Sequence, residues 1–218
     1  DDALAAFYAD CVRDAAHGST PRGRSRRDWI ENALVSKAKL RCQVMLDPGW
    51  DIWGPAGGYI AAIALRAAGE QAPPGHRPLT LTGQFVRVAK PGALDVTVGA
   101  IKTGSTALFA VTLSQAGQPV VLAQLWTSAR ATPSHPLQPP MPAVPPPAAL
   151  RDFQAIAAER GFAQIAFWQN IEGRPVNFRQ HGDPVADDTH QYRWMRLRDW
   201  AATTDPFLDA MRSTLLID

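Results

Sequence analysis

One stretch dominates what this chain can fold into. Residues 57–68, Gly-Gly-Tyr-Ile-Ala-Ala-Ile-Ala-Leu-Arg-Ala-Ala, carry a single charge, Arg66. Read as a helix, the stretch is apolar around nearly its whole circumference. Such a helix belongs inside a fold rather than on its surface. Its alanines let another layer approach closely. Four segments that alternate apolar and polar residues follow, over 79–88, 93–101, 107–115 and 120–129. In the second, Leu94, Val96 and Val98 alternate with Asp95 and Thr97. In the third, Phe109, Val111 and Leu113 alternate with Ala110, Thr112 and Ser114. That period marks strands with one buried face. The separators Pro91-Gly92, Gly104-Ser105 and 116–119 are short enough for hairpins, so the strands pair antiparallel. A further strand, with Leu40, Cys42, Val44 and Leu46 on one side, precedes the helix. The order is strand, buried helix, then a four-strand meander. No helices alternate with the later strands, so the class is α+β: an antiparallel sheet wrapped around a long helix.

Prolines set the main boundary. Eight of the 19 lie between Pro133 and Pro147, which reads as an extended linker over 131–150. It separates a unit over 35–130 from a second segment, 151–218. Residues 1–34 form an unassigned extension. Leu4, Phe7, Tyr8, Cys11 and Val12 recur there at helical spacing, and the basic run from Arg22 to Arg27 reads as a solvated loop rather than a phosphate contact. In the second segment Leu150, Phe153, Ile156 and Ala157 share a helical face. Strand-like stretches follow over 163–170, 173–179 and 192–197. Thr203-Thr204-Asp205-Pro206 then places a capping side chain before a proline in a first helical turn, and Phe207, Leu208, Met211 and Leu215 give that helix its apolar stripe. The segment reads as the opening half of a second copy of the first unit. The chain stops at Asp218 directly after Leu215-Leu216-Ile217, and the pattern leads us to expect more chain beyond it.

Charge and motif content exclude several classes. The 22 basic and 20 acidic residues leave a net charge of +2, which gives no electrostatic case for nucleic-acid binding. The longest uncharged apolar run, 54–65, is too short to span a membrane, and no signal-peptide pattern is visible. A cytoplasmic location is expected. Cys11 and Cys42 make neither a disulfide framework nor a zinc set. His181 and His190 flank Asp183, Asp187 and Asp188, but in a polar, loop-like stretch that reads as solvent-exposed. No metal or redox cofactor is expected. There is no Gly-x-Ser-x-Gly elbow and no phosphate-binding glycine loop.

Several residues remain as candidates for chemistry. The N–H groups at a helix start favour negative charge, and Gly57 and Gly58 would let a ligand approach them. They therefore suit a polarised carbonyl, although close packing of helix on sheet uses glycine equally well. Tyr59, with Trp50 and Trp53, lines either a ligand channel or the core. Arg87, Lys90 and Lys102 either meet phosphates or face solvent.

The pieces Trp53-Gly54-Pro55-Ala56-Gly57-Gly58-Tyr59, 84–92, 101–105 and 115–117, in this order, resemble the acyl-CoA thioesterase II family and its thioesterase-like relatives. The resemblance covers about 38–130 and continues more loosely through 173–178 and 194–196 to Asp218. It implies a double hotdog fold whose second repeat is incomplete within this sequence. It also implies hydrolysis of a fatty acyl-CoA to free acid and coenzyme A by carboxylate-activated water. Asp218 falls where the family's helix carboxylate belongs, and its apolar neighbours suit a base working near neutral pH. The family's Thr and Gln would lie past Asp218. For that reaction Gly57, Gly58 and Tyr59 are the candidates for the oxyanion or substrate site, and Arg87, Lys90 and Lys102 the candidates for binding coenzyme A. The 57–68 helix has no Asp or His, which disfavours hydratase chemistry. The alternatives are a non-catalytic acyl-binding module, which would hold ligand without releasing thiol, or a scaffold subunit. A homo-oligomer is expected in either case.

Overall fold

A computed structural model describes residues 39–130, 140–163, 165–179, 190–198 and 202–217. The expected helix over residues 4–12, the basic run 22–27, the stretch around His181 and Asp218 lie outside the described residues. The chain divides into two compact units. One takes in the described residues of 1–131 and of 201–218, the other those of 132–200.

The first unit is built on five antiparallel strands and one long helix. The elements are β1 (Lys39–Leu46), α1 (Gly57–Gly69), β2 (Arg77–Phe85), β3 (Gly92–Lys102), β4 (Thr106–Gln115) and β5 (Gln118–Ser128). The strand order is β1-β3-β4-β5-β2. The alternation read from the sequence is the alternation of the pleat. Leu94, Val96, Val98, Phe109, Val111, Leu113 and Leu125 are each at most 1% exposed and face α1. Burying a side chain of this size fully is worth about 1.5–3 kcal/mol, so these rows anchor the sheet. Ile60, Ala62, Ile63, Ala64 and Ala68 of α1 are buried too, each at most 3% exposed. Between β4 and β5 the turn residues Ala116 and Gly117 take φ of 48° and 73°. Positive φ at both positions matches the twist of a two-residue hairpin, and glycine at the second lowers its cost.

A last helix, α3 (Pro206–Ile217), completes this unit. Asp205 caps it, accepting N–H bonds from Phe207 at 2.8 Å and Leu208 at 3.3 Å. Its stripe of Phe207, Met211 and Leu215 is buried. At one end, Arg66 reaches Asp205 and Phe207 packs on Gly69. At the other, Ile217 shares a cavity with Gly57 and Gly58. The two helices therefore lie side by side and antiparallel.

The second unit is smaller. It holds α2 (Phe153–Glu159) and the antiparallel pair β6 (Ile171–Pro175) and β7 (Arg193–Leu197). Asp152 caps α2 through the Gln154 N–H at 2.8 Å. Glu172 bridges Arg174 and Arg196 across the outer face of the ladder. Those hydrogen bonds, that from Arg174 first, hold its carboxyl below the ordinary range. The strand expected over 163–170 is instead a 3-10 turn at Ala166–Gln169. The reason is packing: Phe167 is buried and Trp168 turns back onto Phe153, ring centres 5.2 Å apart. Apolar neighbours at 165–168 mimic a strand when read alone. The α+β class holds throughout, with a five-stranded sheet on a long helix and a short second sheet consistent with a partial second repeat.

Candidate functional site

The described residues of the first unit line one notable cavity, of about 590 Å³, between α1, β2 and α3, open to solvent where Leu79, Phe85 and Ile217 are exposed. The sheet itself creates it. Inner-face residues form rows across the strands, and one row runs Leu40, Val98, Val111, Ala123, Gly83. Side chains shrink along this row towards β2. The flanking rows end in Leu81 and Phe85, which stand on either side of the gap. Ala61 and Ala64 of α1 and Ala210 of α3 wall the space from the helix side. Small residues on two facing layers leave room that large ones would fill. The polar side chains in the lining are Thr80, Ser213 and Thr214, and the Thr214 hydroxyl donates to the Ala210 carbonyl at 2.9 Å. An apolar pocket of this volume with few polar groups is the usual shape of a small-molecule site.

Gly57 and Gly58 both line the cavity, at the amino end of α1. The residue before them, Ala56, has no side chain able to cap the helix. The positive end of the helix dipole thus meets the cavity beside two residues without side chains. Tyr59 points elsewhere. It is 1% exposed, stacks on Trp50 with ring centres 5.5 Å apart, and its hydroxyl accepts the Asp47 N–H at 3.2 Å. Trp50 is also buried, whereas Trp53 is 96% exposed. Of the three aromatics, two build the core beneath the turn and the third lies on the surface.

The basic residues fall into two places. Arg87 donates to the Pro119 carbonyl at 2.8 Å, and the Lys90 backbone is clasped by Gln115. Both therefore lie by the β4–β5 hairpin. This is the Phe85 end of β2, and Gly54, just before α1, approaches the Ala89 carbonyl there. Lys102 closes the other end of β3, bonded to Thr106. Ten strand steps at about 3.3 Å put it roughly 33 Å away. The structure brings Arg87 and Lys90 to the helix-start end of the unit and leaves Lys102 at the far end. Asp218 itself lies outside the described residues; the residue before it, Ile217, lines the cavity.

Sequence reading missed one carboxylate, Asp51, in the turn that leads into α1. Burial, and then the charge of Asp47, push its carboxyl above the ordinary range. Its Oδ1 is buried without a hydrogen-bond partner among the described residues. Nothing in the residue pattern marks it, because its setting comes from the folded turn. Among the described residues no group of His, Cys, Asp and Glu is placed to hold a metal ion.

This arrangement has known relatives. Residues 46–128 match the acyl-CoA thioesterase N-terminal domain family.

The fold is that of hotdog proteins. A conserved protein with a hot dog fold from Alicyclobacillus acidocaldarius is similar at 25% identity, with a TM-score of 0.65 over 81% of this chain. The tesB protein of Mycobacterium avium subsp. paratuberculosis is similar at 22% identity and 0.59 over 85%, and an acyl-CoA thioesterase II of Mycobacterium marinum at 21% and 0.59 over 81%. The chain spans 63%, 68% and 62% of these three structures in turn. No curated protein matches the sequence. Within the hotdog, the matched segment contains α1, Gly57, Gly58 and all of β2 to β5. The α3 helix lies outside it. No helix among the described residues is long and apolar enough to cross a membrane.

Proposed function

We propose that this protein hydrolyses an acyl-CoA thioester to free acid and coenzyme A. The observation that carries the proposal is the meeting of a helix start that opens with two glycines and an apolar cavity in a thioesterase-type domain. The thioester carbonyl sits at Gly57-Gly58, where the helix end stabilises the charge that develops on oxygen. The acyl chain lies in the cavity. Arg87 and Lys90, at the same end of the unit, meet the phosphates of coenzyme A. Asp218, next in sequence to the cavity-lining Ile217, serves as the base that activates water. The match to the acyl-CoA thioesterase N-terminal domain supports the reaction class.

The test is thiol release from acyl-CoA by the wild-type protein and by Asp218→Asn. A positioned general base contributes about 10²–10⁴-fold, so the variant should fall by at least about 100-fold. Unchanged thiol release would remove Asp218 from the reaction.

One observation favours a second reading, a module that binds acyl-CoA without cleaving it. The described cavity lining contains no titratable side chain. Retention of acyl-CoA with no thiol release by the wild type would select this reading.

A further inference from the structure

We infer that the cavity limits the acyl group to a medium length, about eight to ten carbons, with Ala64 and Gly83 as the residues that set it. This rests on the acyl-CoA reading above and names its substrate class. The cavity runs along α1 from Gly57 to Leu65 and along α3 from Ala210 to Ile217. At 1.5 Å per helical residue these spans are about 12 Å and about 10 Å. An extended chain advances ~3.3–3.6 Å for every three backbone bonds, so about eight to ten bonds fit the length. With the carbonyl at Gly57-Gly58, the chain end reaches Leu65, the last residue of α1 in the lining and 3% exposed.

The width is set by what is missing. Ala64 lines the cavity from α1, where the buried positions Tyr59, Ile60, Ile63 and Leu65 carry large side chains. Gly83 lines it from β2 between Leu81 and Phe85. A Cβ added at Gly83 would meet Val121 Cγ1 at 3.9 Å and Ala123 Cβ at 4.0 Å, ordinary contacts, and the backbone there is extended. A branched side chain at 83 therefore enters the cavity without forcing its neighbours. Each methylene that fits adds about fourfold in affinity, the equivalent of ~0.8 kcal/mol per buried CH2. Filling the cavity from either wall removes those methylenes from the long end first.

The experiment measures binding and thiol release for straight-chain acyl-CoA of four to sixteen carbons. It compares the wild type with Ala64→Leu and with Gly83→Val, each checked for folding by its thermal melt. The expected result is a wild-type optimum at about eight to ten carbons. Both variants should move it two to four carbons shorter and lose at least about tenfold in affinity for a ten-carbon chain. A wild-type profile that climbs without a break to sixteen carbons overturns the inference, as does a folded variant with the wild-type profile. Either result leaves the acyl-CoA reading in place. If the wild type neither binds nor cleaves any length, that reading fails and this inference with it. If it binds without cleaving, the binding profile decides the length by itself.

Discussion

Arg66 Nη1 donates to Asp205 Oδ2 at 2.8 Å, across 139 residues of chain. The same guanidinium holds Glu70 one helical turn on, at 2.5 Å. The bond joins the last turn of α1 to the cap of α3. It therefore helps fix the helix that forms one wall of the cavity.

Asp205 has two roles, cap and ion-pair partner. Replacing a capping Asp by Ala costs about 0.5–2 kcal/mol, so Asp205→Ala should lose about 1–2 kcal/mol in urea unfolding at pH 7. Asp205→Asn keeps a capping oxygen and should lose less. Burial pushes the Asp205 carboxyl up, but the Phe207 N–H, the charge of Arg66 and the Leu208 N–H together bring it below its ordinary range. A depressed carboxyl stabilises the fold above its unfolded value of about 3.9, and that contribution is lost as pH falls through the folded value. Wild-type stability should therefore drop more steeply than that of Asp205→Asn as pH falls below about 4. Equal slopes would show that the carboxyl is not coupled to folding.

Gly69 and Phe207 are packed to the limit. A Cβ at Gly69 would lie 2.6 Å from Phe207 Cδ1 and 2.8 Å from Cγ. On helix propensity alone, Gly69→Ala would gain up to about 1 kcal/mol. Overpacking costs about 1–3 kcal/mol, and we expect it to win. Thermal melts of Gly69→Ala, Phe207→Leu and the double variant test this: the double should be more stable than the sum of the two losses predicts. Additive losses would contradict the contact.

Cys42 is on the inner face of β1, opposite Val96. Burial pushes its thiol up to about 11. The thiolate is the reactive form, so Cys42 should resist iodoacetamide at pH 8 in the native protein and react in denaturant. Peptide mass mapping reads both states. Fast native labelling of Cys42 would mean that β1 opens readily.

The two groups of basic residues make a contrasting pair. Exposed charge contacts are worth about 0.2–1 kcal/mol each. The double variant Arg87→Gln, Lys90→Gln should raise KM for acyl-CoA roughly three- to tenfold, an effect reduced by salt. Lys102→Gln should leave KM unchanged. The reverse pattern would put the coenzyme A phosphates at the β3–β4 end of the sheet.

The strands and α1 were legible because each has one dominant demand. A half-buried strand alternates, as Leu94 to Val98 does, and a helix surrounded by sheet is apolar throughout. The cap at Asp205 was equally plain, because capping depends on local chemistry. What the residue order did not carry is contact between distant parts. The side-by-side packing of α3 on α1 follows from Arg66, Gly69 and Phe207 meeting in space. The cavity follows from Ala123 and Gly83 ending one cross-strand row, and rows exist only once register is set. Residues 163–170 misled because a run of apolar residues looks alike in a strand and in a tight turn over a core. Gly57 and Gly58 were found by their chain position, but only the folded cavity separates them from Tyr59.

The most direct measurement is where an uncleavable acyl-CoA thioether binds. Backbone amide NMR shifts of the full chain, titrated with an eight-carbon thioether analogue, report this residue by residue. The largest changes should fall at Gly57, Gly58, Gly83 and residues 213–217, with smaller ones at Arg87 and Lys90. Changes confined to the β3–β4 hairpin around Lys102, or no changes at saturating analogue, would contradict it.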